Sequence, residues 1–132
     1  MAKDTYVYGL GRRKSATARV RLTSGKGNVI VNDKPALDYF SGNEQMTAEL
    51  LHPLVLIGKD KAYDVSLHVS GGGLSGQVDA SKLAIAKALS TTSDDLRSTL
   101  KKASLLKRDP REKERKKYGL RSARKREQYS KR

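Results

Sequence analysis

The chain has 132 residues, about the size of one domain, with a formal net charge of +14 and no cysteine. The missing cysteine excludes disulfides, thiol catalysis and cysteine-ligated zinc, and makes a reducing compartment the simplest setting. Residues 1–100 hold 13 Lys/Arg and 10 Asp/Glu, a net of +3, whereas residues 101–132 hold 15 and 4, a net of +11, an asymmetry that points to a polyanionic partner.

In chain order, TYVYGLG at 5–11 predicts a strand, with Gly9 and Gly11 loosening the connection after it. GRRKS at 11–15 is a tight basic cluster beside a strand edge: either a solvated turn or, in a chain this basic, a set of phosphate contacts. From Ser15 to Leu22, Ala16, Ala18, Val20 and Leu22 alternate with Ser15, Thr17, Arg19 and Arg21. That is the period of a half-buried strand whose polar face extends the basic patch. TSGKGN at 23–28 reads as a turn, VIV at 29–31 resumes strand, and NDKPALDYF turns again with a short helical piece from Pro35. NEQMTAELLHPL at 43–54 predicts a helix with Met46 and Leu50 four apart, ended by Pro53.

Residues 62–69 alternate once more, with Tyr63, Val65, Leu67 and Val69 on one face and Asp64, Ser66 and His68 on the other. GGGLSG at 71–76 breaks this strand. An alanine-rich helix follows from about Gly76 to Ser90, with Val78, Ile85 and Leu89 on one side. A second begins at Ser93 as N-cap, with Asp94 and Asp95 in its first turn, Lys101 and Lys102 toward its end, and Leu96, Leu100 and Ala103 as its apolar stripe. The expected fold is α+β: a two-layer α/β sandwich with about four strands and helices on one face, over residues 1–105.

Residues 106–132 form a basic tail without the apolar periodicity of a core segment, expected to lack one structure when free and to order on RNA. Glu112 and Glu114 lie near Lys116 and Lys117, which permits a transient helical turn over 110–118 that Gly119 would end. Fully extended, residues 107–132 reach about 80 Å. Arginines supply planar forks for phosphate, and Tyr118 and Tyr129 supply faces for bases. The tail has neither the bulky apolar face of a membrane-surface helix nor a basic-zipper heptad. The start of the chain lacks an apolar secretory stretch, and the longest aliphatic run, 54–57, is far too short to cross a bilayer. The reading is a cytoplasmic, soluble protein with no membrane partner.

No enzyme is indicated. Gly71 and Gly76 have the spacing of a phosphate-binding loop, yet Gln77 stands where the Lys would be and Val78 where the Ser/Thr would be. The loop is then either a flexible strand-to-helix turn or a backbone-rich loop lying close to nucleic-acid phosphate. His52 and His68 are isolated, so no metal site is expected, and no catalytic residue or cofactor is assigned.

Five pieces in order, GRRKSATARV at 11–20, GNVIVNDKPALDYF at 27–40, GGGLSGQ at 71–77, KRDPREKERKKYGL at 107–120 and the terminal QYSKR, make the chain resemble ribosomal protein nine of the small subunit, bacterial type. The resemblance implies a small α/β sandwich with a left-handed βαβ crossover. It also implies a place in the head of the small subunit against the 3′ major domain of ribosomal RNA, among neighbouring head proteins. The tail would run through RNA to the anticodon stem-loop of peptidyl-site tRNA. Carried onto this chain, the ribosomal RNA contacts would be Arg12, Arg13, Lys14, Gly71, Gly72, Gly73 and Gln77, joined by Arg19 and Arg21, which extend the basic patch along the strand face. In the tail they are Lys107, Arg108, Arg111, Arg115, Lys116, Lys117, Tyr118, Arg121, Arg124, Lys125 and Arg126. Ser130, Lys131 and Arg132 would be the tRNA-facing tip. The chain departs from the family's usual pattern at Leu83, Ala84 and Lys87, in QVDA at 77–80, and at Glu127-Gln128-Tyr129.

Overall fold

The alternation read at 15–22 becomes the middle of strand β2 (Ala16–Ser24), which pairs antiparallel with β1 (Val7–Arg13) on one side and β5 (Tyr63–Ser70) on the other. The molecule is seen in a computed structural model that describes residues 6–111 and Tyr118. Strand β3 (Val29–Val31) pairs parallel with β5, and β4 (Lys34–Pro35) pairs antiparallel with β3, so the sheet order is β1-β2-β5-β3-β4. Five strands are present where about four were expected. The extra one is the two-residue β4, too short to show a period. It is folded back by Asn32 and Asp33, whose φ values of 50° and 67° make the two-residue reversal that hairpins favour. Pro35 is tolerated there because β4 is an edge.

Three short helices, α1 (Ala36–Tyr39), α2 (Glu44–Leu50) and α3 (His52–Leu56), lie between β4 and β5. The Asn43 carboxamide oxygen caps α2 by accepting the Met46 N–H at 3.1 Å. Pro53 does not end the predicted helix. The break falls at Leu51, and Pro53 sits in the first turn of α3, where its missing N–H leaves no helical bond unmade. After β5 come α4 (Leu74–Ser90) and α5 (Asp94–Lys102). Ser93 holds the N-cap position of α5, but its side chain makes no capping bond.

Helix α4 is the centre of the helical layer. It lies on β1 and β2 and is flanked by α2, α3 and α5, so burial extends around it well beyond Val78, Ile85 and Leu89. Gly9 and Gly11 are not a loose connection. They are interior positions of β1 that face α4. A Cβ at Gly11 would overlap the Ala80 carbonyl oxygen and meet the Ala84 nitrogen at 2.6 Å, and one at Gly9 would overlap the Ala84 carbonyl oxygen. Ala80, Ala84 and Ala88 recur every four residues along the facing side of the helix, and all are fully buried. Small residues on both partners let helix and strand approach this closely. One hydrophobic core joins Leu22, Val31, Phe40, Leu50, Leu54, Leu67, Ile85, Leu89 and Leu100, and Leu105 and Leu106 pack against it.

Candidate nucleic-acid interface

Among the described residues, helices cover one face of the sheet and leave the other open. Along β2, Ala18, Val20 and Leu22 point into the core while Arg19 and Arg21 are exposed; along β5, Leu67 is buried and His68 exposed. Strand register then sets side chains in rows across the open face. One row is Tyr8, Arg21, Ser66 and Ile30; the next is Leu10, Arg19 and His68; the third is Arg12, Thr17 and Ser70. The Arg21 guanidinium lies 4.9 Å from the Tyr6 ring centroid, a cation–π contact that holds it to one side.

Arg12, Thr17, Arg19, Asn32, His68, Val69 and Ser70 line a shallow concavity on this face. Its wall is braced by the Asn32 side chain, which donates to the Val69 carbonyl at 3.1 Å and accepts from the Val69 N–H at 3.0 Å. Asp64 is the one acid among the strand residues. Its Oδ1 accepts the backbone N–H groups of Asn28 (3.0 Å), Lys26 (3.0 Å) and Gly27 (3.2 Å), closing the turn between β2 and β3. The bonds from Asn28 and then Lys26 hold its carboxyl below the ordinary value of 3.8. The negative charge is engaged by the β2–β3 turn, so the open face is basic.

The cluster at 11–15 divides. Arg12 projects onto the open face and Lys14, with φ 53°, is exposed at the β1–β2 turn. Arg13, one residue on, points the other way and its side chain is only 13% exposed. Its Nε lies 3.5 Å from Asp79 on α4 and its Nη1 3.2 Å from Asp109, and Nη1 donates to the Arg111 carbonyl at 2.7 Å. Arg111 in turn forks Asp109, with Nε at 2.8 and 2.9 Å and Nη2 at 2.6 Å. The Arg111 bonds, with Arg13 adding a smaller effect, push the Asp109 carboxyl far below the usual carboxylate range. The root of the tail is thus fastened to the end of β1 and to α4.

The glycine loop is also built for close approach. Gly71 and Gly72 have φ values of 74° and 61°, and a Cβ on Gly71 would overlap the Ser15 carbonyl oxygen. Gly73 is the N-cap position of α4, with no side-chain cap and open space around its Cβ direction. Gln77 is 7% exposed. Its Nε2 donates to the Gly71 carbonyl at 3.1 Å and its Oε1 accepts the Tyr39 hydroxyl at 2.8 Å, so it braces the loop from inside.

The structure therefore gathers Arg12, Arg19 and Arg21 on one surface, puts Lys14 and Gly71–Gly73 at its end, and turns Arg13 and Gln77 inward. Lys107, Arg108 and Arg111 are exposed, and Arg12 borders both the open face and the cleft shared with Lys107, Asp109 and Arg111. Tyr118 is fully exposed. Arg115, Lys116, Lys117, Arg121, Arg124, Lys125, Arg126 and the tip Ser130, Lys131 and Arg132 lie outside the described residues, as does most of the predicted turn at 110–118. Sequence reading passed over Tyr6, Tyr8 and Asn32, and gave His68 no role beyond its outward strand position. Tyr8 was legible as the outward neighbour of an inward glycine, but only once Gly9 is known to face a helix. Among the described residues no acid–histidine cluster could hold a metal, and no helix is long and apolar enough to cross a membrane.

Comparison with known proteins matches residues 11–132 to the family described as Ribosomal protein S9/S16. A small ribosomal subunit protein uS9 from Mesoplasma florum is 50% identical over the full length of both chains. Proteins of the same name from Synechococcus sp. and Solidesulfovibrio magneticus are each 50% identical; the first match covers 95% of this chain and 91% of the relative, the second 98% of both.

Proposed function

The chain belongs to the ribosomal protein S9/S16 family and is a protein of the small ribosomal subunit; from that premise we propose that its body, residues 1–105, docks on ribosomal RNA in the subunit head while its tail, residues 106–132, reaches peptidyl-site tRNA. In this reading it is a structural component and not a catalyst. It works in the cytoplasm beside neighbouring head proteins, and its β3–β5 connection has the left-handed hand that the family implies.

The observation that carries the reading is the continuity of the open basic face with the root of the tail through Arg12. Arg12, Arg19 and Arg21 meet phosphates of the 3′ major domain. Lys14 and the Gly71–Gly73 loop extend that surface, the loop through backbone N–H groups at the start of α4 that no side chain caps. Arg13 and Gln77 serve it from inside, fixing the tail root and the loop. Beyond the root, Lys107, Arg108, Arg111, Arg115, Lys116, Lys117, Arg121, Arg124, Lys125 and Arg126 neutralise phosphates as the tail orders, with Tyr118 against a base. Ser130, Lys131 and Arg132 steady the anticodon stem-loop.

The test is stoichiometric. Sedimented on a sucrose gradient before and after a high-salt wash, the protein is expected at one copy per small-subunit RNA in both. A variable ratio that washes away would make it a general RNA chaperone, which coats RNA without a fixed site. Removing Ser130–Arg132 is expected to leave assembly nearly intact and to weaken tRNA retention or reading-frame fidelity; unchanged values would remove the tip from the mechanism.

A further inference from the structure

We infer that the open face of the sheet is a platform for unpaired RNA: a base stacks on Tyr8 while the adjoining phosphates lie over Arg12, Arg19 and His68. This deepens the reading that the face meets ribosomal RNA, and rests on it. A surface that only collects phosphates needs cations alone. Here Tyr6, Tyr8 and Ile30 are 48%, 50% and 44% exposed, a concentration of large exposed apolar groups on a face that also carries half-buried Leu10 among arginine, histidine and hydroxyl side chains. Arg21, the cross-strand neighbour of Tyr8, is drawn onto Tyr6 and so does not cover Tyr8. One row further along the strands, Arg19 and His68 offer charge and donors at a distance of two residues, roughly 7 Å, and Arg12 stands one row beyond them in the same concavity.

Charge decides the occupant. Among the described strand residues the one acid, Asp64, is engaged by the 26–28 backbone, so a polyanion suits the face better than the mixed surface of a protein. Shape decides the form. Bases in an A-form duplex are already stacked and present a shallow groove of sugar and phosphate, whereas unpaired bases can be laid on an aromatic side chain of a sheet.

Two measurements on the full chain test this. The first is ultraviolet cross-linking of reconstituted small subunits, reading which nucleotide joins the peptide that contains Tyr8. The second is titration with a single-stranded RNA oligonucleotide and with an RNA hairpin duplex, at salt high enough to suppress the tail's contribution. A cross-link from Tyr8 to an unpaired nucleotide is expected. Tyr8→Leu should weaken single-strand binding by about tenfold and leave the duplex unaffected. Tyr8→Phe, which keeps the ring, should stay near the parent, with the melting temperature of each variant as the control for folding. If Tyr8→Leu changes nothing while Arg12→Ala with Arg19→Ala weakens both RNAs equally, stacking is overturned and phosphate binding by the face survives. If none of these variants matters, or the Tyr8 peptide cross-links to a neighbouring protein, the face is not an RNA surface at all.

Discussion

Arg12 and Arg13 are adjacent in sequence and sit in opposite surroundings, because successive strand residues face opposite ways. Arg12 reaches the open face; Arg13 is shared among Asp79, Asp109 and the Arg111 carbonyl. Arg13→Ala should therefore release the tail root more than it loosens the fold. The expected result is a fall in the 15N heteronuclear NOE of residues 105–111 with that of α4 unchanged. Unaltered values at 105–111 would mean that Arg111 alone organises Asp109. Asp64 gives a pH prediction. Its folded carboxyl titrates below 3.8 because three backbone N–H groups stabilise the anion. Well above 3.8 both folded and unfolded forms are ionised and the contribution is complete. As pH falls the unfolded chain takes up the proton first, so stability is lost on acidification from about one unit above 3.8 down through the lower value of the folded carboxyl. Asp64→Asn should be less stable at pH 7 and should show a flatter fall across that window, read from melting temperatures at each pH.

At the level of elements, the packing of α4 on β1 depends on what is missing from the strand. Gly11→Ala places a Cβ against the Ala80 carbonyl oxygen and the Ala84 nitrogen, backbone atoms that cannot swing aside. The helix must lift or the strand must bend, at a cost of about 3 kcal/mol. Gly73→Ala, with nothing near its Cβ and φ of −91°, should be close to neutral. Chemical denaturation of the pair measures the contrast, and equal stabilities would show that the helix–strand contact has slack. The same contact marks the limit of sequence reading. Period-two alternation disclosed β2 and β5, including the outward Arg19, Arg21 and His68, because burial on one face imposes it directly. Gly9 and Gly11 read as looseness because a glycine looks alike where the chain must turn and where another backbone must pass. Pro53 reads in the sequence as a helix stop, and only the position of Leu51 shows that it starts a helix. The basic cluster was legible as charge, but its division between Arg12 and Arg13 depends on Asp79 and Asp109, which are distant in sequence.

For the molecule as a whole, the question is where the folded body ends and the polyelectrolyte begins. The Leu105 N–H donates to the Leu100 carbonyl, Leu105 and Leu106 pack on the core, and Asp109 meets Arg13. A chain ending at Arg111 keeps all of these contacts and should melt within about 3 °C of the full chain. A chain ending at Ser104 loses two partly buried leucines together with the Arg13 bridge to Asp109, and should melt lower by about 10 °C. The residues removed beyond Arg111 carry 10 Lys/Arg and 3 Asp/Glu. Their loss should make the dependence of RNA binding on salt shallower, by about 0.7 in the logarithmic slope for each single-strand phosphate contact given up. The two readouts separate the two roles. Unchanged melting with a shallower slope makes residues 112–132 an electrostatic arm added to a complete body. A large drop in melting on removing 112–132 would place part of the arm in the fold. An unchanged slope would leave phosphate binding wholly to the body, with Arg12, Arg19 and Arg21 as its cations.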